Sequence, residues 1–276
     1  MTGLHSATEG PPLDLTSGKA PRSMAASGHI HFWQGGSLWI GRGAGVSQWH
    51  THHAHQIALA LEGDFRFRSK ADGRWTHFEA AIVPSHCAHA FALDGGTVAH
   101  LFAEPETTEG RMLSQRYAPR RITDLPQPQA RACAEQLLAA LRGGADAAAM
   151  RAIGRTVLAT LAGTTSTTHP GTAVDPRVAR ALDYIRTHVR APIQLADVAA
   201  AANLSPSRLR HLFVQETRTT FRAYLLWLRI NIAIESAMAG ASWTEAAHDA
   251  GFADSAHLSR THKRMFGIEP TAIRQG

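Results

Sequence analysis

The densest run of potential ligand atoms is Trp49-His50-Thr51-His52-His53-Ala54-His55-Gln56, followed by Ile57-Ala58-Leu59-Ala60-Leu61-Glu62-Gly63. If this stretch is extended, successive side chains alternate between faces, so His50, His52, Gln56, Ala58 and Ala60 share one side and Ile57, Leu59 and Leu61 the other. The small alanines leave room beside the His–His–Gln side. Neutral imidazoles converging from neighbouring strands suit Zn, Ni, Fe or Mn, and an amide oxygen can complete such a set. The same atoms can equally hydrogen-bond an organic molecule, and replacing a carboxylate by Gln56 removes charge that would hold a divalent ion. Metal and organic effector both stay open. His53 and His55 read as surface or core polar groups, with His53 on the face away from His50.

Such a strand needs a sheet around it. Residues 1–28 are rich in Gly, Pro, Ser, Thr and Ala without apolar period and read as a mobile tail. Over 29–125 short apolar or alternating runs follow, punctuated by glycine: 29–33, 37–40, 56–61, 64–68, 74–78, 81–83, 89–93 and 97–102. That spacing predicts a sandwich or small barrel. Over 126–161 the period turns helical, with Leu137, Leu138 and Leu141, then Met150, Ile153, Val157 and Leu161, broken at Gly143-Gly144 into a helical hairpin whose stripes fit a homodimer contact as well as an inner core. The segment 162–174 reads as a linker. Residues 175–276 are an all-α domain of seven proposed helices, expected to fold by itself because the linker has little to bury. The fold class is α+β, in several domains.

A second kind of chemistry lies in that last domain. Leu195–Ala202 and Pro206–Glu216 pair as helices with Asn203 near the turn; Trp243–Ala250 and the helix after Gly251 form another such pair; a long helix from Thr220 joins them. The run Gly251-Phe252-Ala253-Asp254-Ser255 through Leu258-Ser259-Arg260, Lys263-Arg264, Phe266-Gly267 and Pro270 to Arg274 closely resembles the C-terminal signature of AraC-type (AraC/XylS) transcription regulators. Leu258 and His262 stand where that family often has aromatic residues. The resemblance, which covers roughly 175–274, implies two helix-turn-helix units entering successive major grooves of double-stranded DNA. Residue by residue it offers Ser207, Arg208, Arg210 and His211 from one reading helix and Ser255, Ala256, His257, Ser259 and Arg260 from the other. Arginine can bond both major-groove acceptors of guanine, so Arg210 and Arg260 are expected on bases, and Arg208, Lys263 and Arg264 on phosphates. Thirteen basic and nine acidic residues in 174–276 carry most of the chain's +6 formal charge.

The motif His50-x-His52-x3-Gln56-x6-Gly63 in turn resembles the first motif of the cupin barrel, with Gln56 in place of the usual glutamate. A second motif follows at Pro84-Ser85-His86-Cys87-Ala88-His89, where His89 matches the last ligand and His86 replaces a glycine. The resemblance implies an N-terminal cupin-like sensor domain using His50, His52, Gln56 and His89 for an effector or a divalent metal. The reading is a DNA-binding regulator, an activator that meets RNA polymerase. The alternative is a cupin-type metalloenzyme with a helical appendage, but no nucleophile–base set, Walker loop or GxGxxG is present, and the protein is read as not an enzyme. No apolar run approaches a membrane span, which points to the cytoplasm. Cys87 and Cys133 lie in different predicted elements and predict no disulfide.

Overall fold

The computed structural model describes residues 22–70, 73–117, 121–164 and 174–276. Among the described residues the first half holds eight strands of a nine-stranded sheet and three helices, the second a bundle of six helices and the ninth strand, and the two halves share a core. Strands β1 (Ala25–Trp33), β2 (Gly36–Val46), β3 (His55–Glu62), β4 (Phe65–Ser69), β5 (Trp75–Phe78), β6 (Ala80–Val83) and β7 (His89–Ala103) follow one another before helix α1 (Thr108–Tyr117) and the short β8 (Thr123–Asp124). Helices α2 (Gln127–Arg142) and α3 (Ala147–Ala162) complete this half. The expected runs all fall in strands, but the last two form one strand, β7, which turns at Gly95 (φ 79°) and pairs with β2, β3 and β4. β1 begins at Ala25, so the last residues assigned to a tail belong to the sheet; residues 1–21 lie outside the described part. Neither α1 nor β8 was expected.

Alternation divides the strands between two packed layers. On one face Leu38, Ile57, Leu59, Ile82 and Leu101 pack under Leu113, Leu137, Met150, Val157 and Leu161 of α1–α3. The apolar stripes that suggested a dimer are thus spent largely on covering the sheet. On the other face Ala58, Phe65, Phe67, Phe91 and Val98 fill the interior of the curled sheet. Among the described residues no helix is long and apolar enough to cross a membrane, and neither Cys87 nor Cys133 is in a disulfide.

The second half runs α4 (Pro176–His188), α5 (Leu195–Ala201), α6 (Pro206–Thr217), α7 (Phe221–Met238), α8 (Trp243–Asp249) and α9 (Ser255–Phe266). The linker's residues 165–173 lie outside the described part. Side-chain caps begin these helices where the sequence implies: Asp175 accepts from Arg177, Ser205 from Arg208, Thr220 from Ala223, Ser242 from Glu245 and Asp254 from His257. Left-handed residues follow α5 and α8, Asn203 (φ 55°) and Gly251 (φ 78°), and turn the chain into α6 and α9. The expected seventh helix is a 3-10 turn, Pro270–Ala272.

That turn leads into β9 (Ile273–Gln275), which pairs in parallel with β1 in the register Ala26↔Ile273, Ser27↔Arg274 and Gly28↔Gln275. The last strand of the sheet therefore comes from the helical half. Phe102 and Ala54 from the sheet share one core with Trp227, Leu258 and Phe266, and the Trp39 ring lies 4.8 Å from that of Phe266. The helical half thus buries apolar surface against the sheet half as well as within itself.

Candidate functional site

Residues 47–54 precede β3 and are irregular, tied down by a bridge in which His50 and His89 exchange both backbone hydrogen bonds at 3.0 Å. The alternation argument therefore does not apply to His50–His53, yet the structure brings His50, His52, Gln56 and His89 together. One ring nitrogen from each of His50, His52 and His89 lies within 4.8 Å of the others. In each of these three rings Nδ1 meets a backbone carbonyl: Gln48 O at 2.9 Å for His50, Ala54 O at 2.8 Å for His52, and Cys87 O at 2.9 Å for His89. A carbonyl only accepts, so Nδ1 carries the proton and the Nε2 lone pair is left free.

Burial keeps these rings neutral. It is the largest cause holding His50 down to about 3, with the neighbouring His52 adding to it, and it also lowers His52 and puts His89 well below the ordinary value. The Gln56 amide sits in the middle, its Oε1 placed 2.9 Å from His52 Nε2 and 3.2 Å from His89 Nε2, and its Nε2 placed 2.9 Å from His100 Nδ1. An amide oxygen facing two lone pairs is an unfavourable arrangement. Either turning the amide over or placing a cation among the acceptors satisfies it. His100, held down to about 3 by burial, was missed by the sequence reading. Its pairing with Ala58 puts it on the Gln56 side of the sheet, so alternation along 97–102 carried the signal.

His50, His52, Gln56 and His100 line part of a cavity of about 120 Å³ whose walls are otherwise largely apolar. Ile40, Phe91, Val98 and Phe102 come from the sheet, whereas Phe266, Ile268 and Ile273 come from the end of α9 and beyond. Nothing in the local sequence signalled this shared wall. The two halves also join at the backbone: Gln48 N donates to Gly267 O at 2.7 Å, and Thr51 N to Arg264 O at 3.4 Å. Gly267 (φ 72°) is the left-handed cap of α9, and a β-carbon there would run into the Gln48 carbonyl and the His50 ring. The loop bearing His50 thus satisfies carbonyls at the end of α9.

The other histidines serve elsewhere. His55 Nε2 meets Ser114 Oγ on α1 at 2.8 Å. His53 is buried 2.9 Å from Glu106 and packs against Tyr224 and Trp227, as a polar group of the core. Burial works against charge on both partners, but their attraction outweighs it, raising His53 and lowering Glu106. The His86 (φ 60°) ring lies tilted 5.6 Å from that of His53, outside the cluster. Cys87 contributes its carbonyl, accepting from His89.

Beside them lies a group invisible in the sequence. Glu104, 4% exposed, accepts from Trp227 Nε1 at 3.0 Å, Tyr224 Oη at 3.3 Å and Arg186 at 3.1 Å, all from the helical half. Burial, then Glu106, raises its pKa. Arg111 of α1 pairs with Glu216 near the end of α6 at 2.6 Å.

On the outer surface of the helical half Ser207, Arg208, Arg210 and His211 of α6 are exposed, as are Ala256 and Arg260 of α9, while Ser255, His257 and Ser259 are half-buried. Lys263 pairs with Glu269 at 2.5 Å. Leu258 and His262 are buried beneath α9.

Two helix pairs joined by a long helix, with arginines on the exposed faces of α6 and α9, define a helix-turn-helix protein. Residues 198–276 match a family described as "Helix-turn-helix domain". The chain is similar to the transcriptional activator RhrA of Rhizobium meliloti, 30% identical over 84 residues, covering 29% of this chain and 26% of that protein. It is also similar to the HTH-type transcriptional regulator YidL of Escherichia coli, 36% identical over 80 residues, covering 29% and 27%. The chain thus spans about a quarter of the length of the curated relatives it matches. Over nearly its whole length the fold is similar to that of ToxT from Vibrio cholerae, with a TM-score of 0.52 at 11% identity, covering 90% of this chain and 94% of that one.

Proposed function

We propose that the protein is a sequence-specific DNA-binding transcription regulator whose cupin-like half senses an effector. The carrying observation is the shared cavity: the segment that ends reading helix α9 also forms the wall facing His50, His52 and Gln56. An occupant touches both halves at once, and its differential contacts with their two arrangements are what a coupling free energy consists of. In this reading Arg210 and Arg260 bond guanines from α6 and α9, two helix-turn-helix units on successive grooves, while Arg208, Lys263 and Arg264 meet phosphates.

Two occupants fit the site, each on its own observation. Three neutral imidazoles with Nδ1 anchored on carbonyls, and an amide oxygen at their centre, form a donor set for a divalent transition metal, and the carbonyl anchors are the outer shell such ligands need. The apolar remainder of the cavity is comparable in size to cavities that hold benzene-sized molecules, about 150 Å³, and favours a small apolar effector. A solved form of ToxT is described as bound to an unsaturated fatty acid.

Selection of bound duplexes from a random library by the full-length protein tests the DNA reading. Enrichment of a motif with two separable halves is expected, one losing preference in Arg210→Ala and the other in Arg260→Ala, at about 1–3 kcal/mol each. Recovery of no sequence would end it. Titration with Co(II) and Zn(II), followed by melting temperature, tests the metal; a rise abolished by His89→Ala is expected, and no rise for either ion rejects it.

A further inference from the structure

We infer that the sensor half itself touches DNA, through a basic and aromatic patch on the β4–β5 hairpin that takes the phosphate backbone flanking the α9 site. The inference rests on the DNA reading above. β4 alternates strictly, Phe65 and Phe67 inward and Arg66 and Arg68 outward, and Arg68 lies opposite Trp75 in the register. The Arg68 guanidinium is held between two indoles, 4.7 Å from the Trp49 ring centre and 5.0 Å from that of Trp75. Lys70 adds an ammonium 5.9 Å from the Trp49 ring. Arg68 Nε is buried without a hydrogen bond, and Trp49 is one of the few large apolar side chains left exposed, at 36%.

Cations stacked on aromatic faces gain cation–π energy while their remaining N–H groups stay available to an anion. Among the described residues the outward face carries Arg66, Arg68 and Lys70 against one acidic group at the hairpin's base, Asp64, which lies 3.2 Å from His77. The patch is continuous with the reading helix. Trp49 lies between Gln48, whose N–H is bonded to Gly267, and the loop residue Thr51, whose N–H is bonded to the carbonyl of exposed Arg264. A duplex seated on α9 brings its phosphates to Arg264, whose carbonyl bonds the loop that carries Trp49, and the hairpin cations Arg68 and Lys70 lie over that Trp49 ring. A polyanion that continues past the helix fits this line of charge better than an acidic patch on a compact protein, which would end where the helix does.

The test uses the full chain and a 30-base-pair duplex of random sequence, since phosphate contacts are read without an operator. The slope of log K against log salt is expected to fall by about one for Lys70→Gln and again for Arg68→Gln, because each phosphate contact releases about 0.9 of a counterion. Lys70→Gln leaves the Trp49–Arg68–Trp75 stack in place, so its effect is not one of folding. Arg131→Gln, an exposed charge removal on α2, is the control and should leave the slope alone. An unchanged slope for Lys70→Gln, or an equal fall for Arg131→Gln, overturns the inference while wild-type binding keeps the DNA reading intact. Retention of an acidic protein column by this patch with no change of slope overturns it too. Wild-type protein that fails to bind the duplex at low salt overturns both.

Discussion

Removing Glu104 should loosen the union of the two halves. The carboxylate is buried in the sheet half, and its three donors, Arg186, Tyr224 and Trp227, belong to the other. Glu104→Ala leaves a guanidinium, a phenol and an indole N–H without their acceptor. Breaking one side of a buried pair costs about 3–5 kcal/mol, a large part of a typical total stability of about 5–15 kcal/mol. Glu104→Gln should be milder, at about 1–2 kcal/mol. Its oxygen can still accept from Trp227, and burial together with Glu106 already raises the pKa of Glu104 and so opposes the charge that glutamine lacks. Urea unfolding of the full chain, followed by tryptophan fluorescence and circular dichroism, measures these losses. In Glu104→Ala the two signals should separate as the halves cease to unfold together. Adding Arg186→Met to Glu104→Ala should restore at least about 1 kcal/mol, since the stranded charge is gone. A loss below about 1 kcal/mol in Glu104→Ala, or strict additivity in the double variant, would refute the reasoning.

Ending the chain after Ala272 removes β9 and the bond from Gly276 N to Gly28 O, so the amides of Ala26–Gly28 should exchange hydrogen faster and stability should fall by about 2 kcal/mol; unchanged exchange rules the pairing out. His262 is buried, donates Nδ1–H to Ile268 O at 2.9 Å, and is held at about 4 chiefly by burial, so between the ordinary 6.5 and about 4 the unfolded chain binds a proton that the folded chain does not, and stability is lost as the pH drops through that window. His262→Phe should therefore lose about 1 kcal/mol less than wild type between pH 7.5 and 5.5, compared by urea unfolding at both pH values; equal losses would show that the imidazole is not protected.

Local pattern was enough for strands β1–β7 and the helix pairs, whereas the grouping of His50, His52, Gln56 and His89 came from the resemblance to the cupin motifs. Alternation and the 3.6-residue period report on neighbours a few residues away, and caps act over three. What escaped depends on distance along the chain. Glu104 was unremarkable at the end of a strand because its donors come from α4 and α7. The stripes of α2 and α3 looked like surplus because the apolar outer face of the sheet that they cover could not be seen. The parity that placed His53 on the face away from His50 has no meaning in 47–54, which is not a strand, and its partner Glu106 lies 53 residues away along the chain.

The pairing of β9 with β1 has a consequence for how the molecule comes to be made. Ala26 and Ile273 are separated by about 250 residues, so this contact closes one of the longest loops in the chain, at an entropic cost that grows only with the logarithm of its length. During synthesis β1 can pair with β2 as soon as the hairpin leaves the ribosome, but its other edge stays bare until residues 273–275 have been made. A bare edge invites strands from other chains, and nascent copies side by side on one messenger are the nearest source of them. The order of translation therefore leaves the sheet half of each new molecule open to its neighbours for as long as the helical half takes to appear.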